Sequence, residues 1–91
     1  MRITEIIHVR LSAGMPPSLS EKIRKSISDE ISAEVFTIFQ RDNLESDLAV
    51  HIHRNEDNTQ SGPSQFGIHL ASSLKEYGLV DHTIWKELIS N

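Results

Sequence analysis

The sequence predicts an α+β fold built from two successive strand–helix–strand units. Polar and apolar side chains alternate with a period of two near the start of the chain and again around residues 47–54, which is typical of half-buried strands. Between these segments, apolar side chains recur every four residues, which is typical of an amphipathic helix. The 91 residues suffice for one hydrophobic core only, so we expect a single domain over residues 1–91.

The first predicted strand covers residues 2–11. Successive side chains of a strand point to opposite faces, and here only one face is mainly aliphatic. Gly14 and the following prolines are expected to end regular structure after this strand. The aliphatic face carries Ile3, Ile7, Val9 and Leu11, and the other face carries Thr4, Ile6, His8 and Arg10.

The first predicted helix covers residues 18–32. Ser18 and Glu21 have the spacing of a capping box, in which the two side chains bind unpaired N–H groups of the first turn. The outer face is charged, which favours a helix lying on the surface of the sheet. Its apolar stripe consists of Leu19, Ile23, Ile27 and Ile31.

Residues 34–41 and 47–54 predict a β-hairpin joined by residues 42–46. Pairing of residue 41 with residue 47 sorts the side chains of both strands into two sets. One set contains Phe36, Ile38, Val50 and Ile52, and the other contains Val35, Thr37, Phe39, His51 and His53.

A polar loop over residues 55–61 leads to the second helix, for which Ser64 is the predicted N-cap. Gly78 has the position of a glycine that ends the helix. Leu79–Ile89 is the last predicted strand, with either Val80, Ile84 and Leu88 or Thr83 and Trp85 facing the core, and we prefer the first arrangement. The helix stripe consists of Phe66, Leu70, Leu74 and Tyr77.

The resulting βαββαβ order resembles the ferredoxin-like plan over nearly the whole chain. The resemblance implies a four-stranded antiparallel sheet of order 4-1-3-2 with both helices on one face. It extends to the superfamily of dimeric α+β barrels, in which two such sheets pack face to face. For this chain it implies a homodimer or a higher homo-oligomer.

The face of the predicted sheet away from the helices is called the open face here. Its apolar side chains would form a contiguous exposed patch of the kind that marks an interface or a ligand groove. We therefore expect a partner on this face, and a second copy of the chain is the simplest one. The predicted residues of the open face are Ile6, His8, Val35, Thr37, Phe39, Ala49, His51, His53, Thr83, Trp85 and Glu87.

His51 and His53 are the most distinctive local pair. Side chains two residues apart on a strand lie on the same face, roughly 6.5–7 Å from each other, and His8 is expected nearby on the adjacent strand. Three hypotheses stay open: imidazoles at an interface, proton-transfer groups in a small-molecule pocket, or ligands of a metal ion. The candidate ligand-binding residues are His8, Phe39, His51, His53 and Trp85, and the candidate metal ligands are the three histidines.

Other polar residues are expected to be structural. His69 and His82 are interpreted as residues at the edge of the core, and Arg10 and Arg54 as solvated charges at strand ends. Glu45 and Asp47 fall in or beside the hairpin turn, where solvated turn residues are the expectation. These assignments predict no catalytic role for any of them.

Composition and charge argue against several classes of function. A net charge of −4 with scattered basic residues argues against nucleic acid as a partner. Absence of cysteine excludes thiolate metal sites, iron–sulfur clusters and cysteine nucleophiles, and we expect no cofactor. The first residues do not resemble a signal peptide and no apolar run could span a bilayer, so a cytoplasmic protein without a membrane partner is expected.

The preferred hypothesis is a self-associating domain that binds a small molecule or a protein partner on the open face. The first alternative is a cofactor-independent monooxygenase or isomerase with histidine as the acid–base group, because the resemblance includes enzymes of this type. The second alternative is a metal-binding domain that uses the imidazoles of the open face.

Overall fold

Four strands and two helices follow one another in the predicted order. The computed structural model describes residues 2–14, 16–30, 35–43, 46–55 and 63–89, and it describes residues 27–30, 35 and 55 by their backbone alone. The predicted loop from residue 56 onward and the predicted end of the first helix at residues 31–32 lie outside these ranges. The elements are β1 (Arg2–Leu11), α1 (Leu19–Glu30), β2 (Val35–Gln40), β3 (Asp47–Asn55), α2 (Gln65–Leu74) and β4 (Gly78–Lys86).

The strands form one antiparallel sheet of order β2-β3-β1-β4, which is the predicted order 4-1-3-2 counted from the opposite edge. The chain thus has a ferredoxin-like arrangement. The backbone N–H of Arg41 donates to the carbonyl of Asp47, and Ile38 pairs with Val50, so the predicted hairpin register is confirmed. This register decides which side chains of β2 share a face with those of β3, and the pairing of β3 with β1 extends the same two faces to β1.

The hydrophobic core lies between the sheet and both helices. Apolar side chains at alternate positions of β1 and β3 are buried there, as the period of two predicts, because covering them removes apolar surface from water. The first residues of the α1 stripe and the whole α2 stripe pack against them. The buried cluster comprises Ile7, Val9, Leu11, Leu19, Ile23, Leu48, Val50, Ile52, Leu70, Ala71 and Leu74.

One charged side chain, Glu5, is fully buried on this helix-covered face. Its carboxylate accepts hydrogen bonds from the backbone N–H of Ser64 at 3.0 Å and from the Ser64 hydroxyl at 2.9 Å. The Nε2 atom of His82 lies 2.9 Å from the same carboxylate, and Nε of Arg54 lies 3.7 Å away. Glu5 therefore connects β1 with β3, β4 and the N-terminus of α2, where backbone N–H groups and the helix dipole favour a negative charge.

The position of the Glu5 carboxylate also explains why residue 67 is a glycine. A Cβ atom added at Gly67 would overlap the Glu5 carboxylate. The Gly67 N–H donates to the Ser64 hydroxyl at 2.9 Å, so Ser64 is the N-cap of α2 as predicted.

Three predictions about element ends are wrong. Ser18 has a left-handed φ of 67° and the Glu21 carboxylate accepts from Arg24, so α1 begins without capping-box geometry. Gly78 begins β4 instead of ending a helix, and it lies so close to β1 that a Cβ there would overlap the carbonyl of Arg10. Leu88 lies beyond the end of β4 and is exposed, although Val80 and Ile84 lie on the core side as preferred.

The Ser64 contacts predict a large stability effect. Ser64→Ala removes both the N-cap acceptor of α2 and a hydroxyl donor to buried Glu5, so we expect the free energy of unfolding to fall by about 1–3 kcal/mol. Urea denaturation followed by circular dichroism measures this change. Ser72→Ala, an exposed serine of the same helix, is the control and should change it by less than about 0.5 kcal/mol. Equal effects of the two substitutions would contradict the role assigned to Ser64.

Candidate functional site

The open face lies opposite the helix-covered core. The structure places Ile6, His8, Thr37, Ala49, His51 and His53 here as half-buried side chains. Two aromatic rings on the edge strands are far more exposed: Phe39 of β2 is 47% exposed and Trp85 of β4 is 58% exposed. The described part of the chain contains no helix on this side of the sheet. The predicted division of the sheet into two faces is therefore confirmed, and large apolar surface remains in contact with water.

The imidazoles of the open face fall into two groups. His51 contacts the ring of Phe39, with centroids 4.6 Å apart, and the ring of His53, with centroids 6.3 Å apart. The Nδ1 atom of His53 lies 3.2 Å from the Thr4 hydroxyl. His8 instead contacts Asp47, with Nε2 3.1 Å from a carboxylate oxygen. The structure thus joins His51 to His53 and engages His8 elsewhere.

Asp47 is the buried charged residue beside the open-face histidines that the sequence analysis missed. It is 1% exposed, whereas a solvated turn residue was predicted. Its carboxylate lies 3.3 Å from Nη1 of Arg41 and 3.5 Å from Nε of Arg10, besides the contact with His8. The predicted pairing of residue 41 with residue 47 already placed an arginine opposite this aspartate, and that pairing was the available signal.

These contacts set the ionisation of Asp47. Burial by itself raises the pKa of its carboxyl, but hydrogen bonds from His8 and Arg41 and the charge of Arg10 outweigh burial and lower the pKa below its usual value. At neutral pH the carboxylate is therefore ionised and can only accept hydrogen bonds. The Nε2 atom of His8 must then carry the proton that it donates to Asp47, which leaves the lone pair of a neutral His8 ring on Nδ1.

A depression of about 420 Å³ lies on the open face beside His8. Phe39 and Trp85 line it, and the Trp85 ring N–H donates to the Thr83 hydroxyl at 2.9 Å, which orients the indole. Its lining combines apolar and polar side chains. The apolar side chains include Ile6, Phe39, Ala49 and Trp85, and the polar side chains include His8, Arg41, Asp47, Asp81 and Thr83.

The remaining candidates take structural positions. Arg10 pairs with Asp47 on the open face, whereas Arg54 is largely buried near Glu5 on the helix-covered face. The predicted solvation of Arg54 is therefore wrong. His82 contacts buried Glu5, and His69 is exposed on α2. None of these side chains lines the depression.

The described residues were also compared with the requirements of a metal site and of a membrane span. Within the described ranges, no three His, Cys, Asp or Glu side chains are grouped so that they could hold a metal ion. No helix in the same ranges has the length and apolar character needed to cross a bilayer. Comparison of the chain with protein-family models, curated proteins and solved structures gave no match.

The histidine pair predicts acid sensitivity. Partial burial, with the nearby charge of His53, lowers the pKa of His51 below its ordinary value. The unfolded chain therefore takes up this proton at higher pH than the folded chain does. The stabilisation contributed by neutral His51 is complete above the unfolded pKa of about 6.5 and is lost as pH falls through that value towards the lower folded pKa.

His51→Gln tests this expectation by making the free energy of unfolding depend less on pH in that window. Urea denaturation at several pH values and one protein concentration measures the slope. His69→Gln, which replaces an exposed histidine of α2, is the control and should leave the slope unchanged. A His51→Gln slope equal to that of the unsubstituted chain would refute the assignment.

Proposed function

We propose that the protein self-associates through the open face, so that two sheets pack against each other in a homodimer. The observation that carries the proposal is the exposure of Phe39 and Trp85, one on each edge strand of the same face. Between them lie half-buried Ile6 and Ala49, which make the apolar surface continuous across the sheet. Such patches on small domains typically mark interfaces.

The free energy expected from burying the exposed aromatic surface is consistent with association. Covering the exposed part of each aromatic ring removes roughly 100 Å² from water and contributes roughly 2 kcal/mol. Four rings of a symmetric dimer then contribute about 8–10 kcal/mol, against an association cost of about 4–15 kcal/mol. The rings of Phe39 and Trp85 therefore offset much of that cost, and the aliphatic and imidazole surface between them supplies the remainder.

A second copy is favoured as the partner because symmetric pairing lets one patch cover another of the same kind. It would complete the fold as a dimeric α+β barrel, which is the assembly that the βαββαβ plan implied. The helix-covered face needs no partner, since Ile7, Val50 and Leu74 are already buried there.

Binding of a small molecule is a second candidate function, favoured by the depression beside His8. Its volume of about 420 Å³ lies within the range of about 300–1,000 Å³ typical of ligand sites. Phe39 and Trp85 offer flat apolar surfaces, and His8 offers a polar group. A second sheet packed on the open face would enclose this depression, so the two functions are compatible.

Phe39→Asp tests self-association by placing a charge in the proposed interface. Sedimentation velocity at micromolar concentration should give twice the mass of one chain for the unsubstituted protein and the mass of one chain for Phe39→Asp. Ile68→Asp is the matched control, because Ile68 is 44% exposed but lies on α2, away from the open face. Circular dichroism verifies that both variants fold.

Two results would overturn the proposal. One is an unsubstituted chain that sediments as a single copy. The other is an equal loss of mass in Phe39→Asp and Ile68→Asp, which would locate the contact elsewhere.

A further inference from the structure

We propose that His8 accepts a proton from a small planar ligand bearing a weakly acidic hydroxyl, a phenol or an enol, bound in the depression on the open face. This inference deepens the second candidate function and rests on ligand binding there. It assigns His8 the role of base and Asp47 that of a positioning residue.

Contacts around Asp47 fix the geometry of the His8–Asp47 pair. Asp47 is held by Arg10 and Arg41 as well as by His8, so its carboxylate is fixed before any ligand arrives. It accepts the Nε2–H of His8 and leaves Nδ1 as the basic nitrogen of the ring. A carboxylate that orients an imidazole in this way fixes its tautomer and stabilises the imidazolium that forms on protonation.

The shape of the depression suits a single aromatic ring. The strand register aligns Phe39, Ala49, His8 and Asp81 side by side across β2, β3, β1 and β4. Neighbouring strands are about 4.8 Å apart, so Phe39 and His8 lie roughly 10 Å apart across the small side chain of Ala49. A single aromatic ring fits over Ala49, with an apolar edge towards Phe39 and a polar group towards His8. Contact between two aromatic rings is favourable, so Phe39 would stabilise a bound ring at this position.

The charged groups around His8 suit this proton transfer. The proton moves from the ligand oxygen to Nδ1 of His8, which yields a phenolate or an enolate and an imidazolium ion. Asp47 at 3.1 Å balances the imidazolium, and Asp81, opposite His8 in the register, adds to that effect. Arg41 lines the same depression and brings positive charge close to the oxyanion while it also pairs with Asp47 at 3.3 Å. Arg10 pairs with Asp47 as well but does not line the depression. Atoms and charge balance without a cofactor.

4-Nitrophenol is the probe, because its phenolate absorbs visible light and its neutral form does not. Trp85 is the only tryptophan of the chain and lines the depression, so its fluorescence reports occupancy independently. We expect saturable quenching of Trp85 and an apparent pKa of bound 4-nitrophenol about one unit below that of the free phenol, a tenfold change in ionisation.

Three variants separate binding from proton transfer. His8→Gln should retain quenching and lose the pKa shift, and Asp47→Asn should reduce the shift. Ala49→Leu fills the space between Phe39 and His8 and should abolish both signals. His69→Gln, an exposed histidine on α2, is the control and should retain both.

The outcomes distinguish this inference from the proposals before it. Absence of saturable quenching overturns it together with the small-molecule function, whereas quenching with an unshifted pKa, or a shift that survives in His8→Gln, overturns the inference alone. The sedimentation mass, measured in parallel, reports on self-association whichever result is obtained.

Discussion

The inner strand β1 pairs with β3 on one side and with β4 on the other along most of its length. Because its side chains alternate between two faces, this double pairing assigns the neighbouring residues of both partner strands to the same two faces. Ile7 and Val9 lie in the core, while Ile6 and His8 lie on the open face. A register shift of one residue in β1 would exchange the two sets, so both the core and the candidate site depend on it.

Two buried carboxylates show how the faces differ. Glu5 lies on the helix-covered face and is held by Ser64 and His82, so it stabilises the junction between the sheet and α2. Asp47 lies on the opposite side and is held by His8, Arg10 and Arg41. In each case the cost of burying a charge is offset by ionic and hydrogen-bonding partners from other elements. The partners of Glu5 lie on the helix-covered face, whereas two partners of Asp47, His8 and Arg41, line a depression on the open face.

The proposals for the open face support one another physically. A second sheet covering Phe39 and Trp85 would exclude water from the depression, and electrostatic interactions strengthen when water is excluded. The His8–Asp47 pair would then act on a bound hydroxyl more effectively than it does in a face open to solvent. Association and ligand chemistry would use adjacent parts of one surface, with the aromatic rings common to both.

Local pattern determined most of the fold: the strand faces, the hairpin register, the N-cap at Ser64 and the histidines of the open face all follow from the spacing of side chains along the chain. Tertiary structure alone decided the partners of Glu5 and the way His8 meets Asp47, and it reversed the expected solvation of Asp47 and Arg54. These contacts join residues 39 to 77 positions apart. They depend on which strands become neighbours, a relation that helical and strand periodicities do not encode.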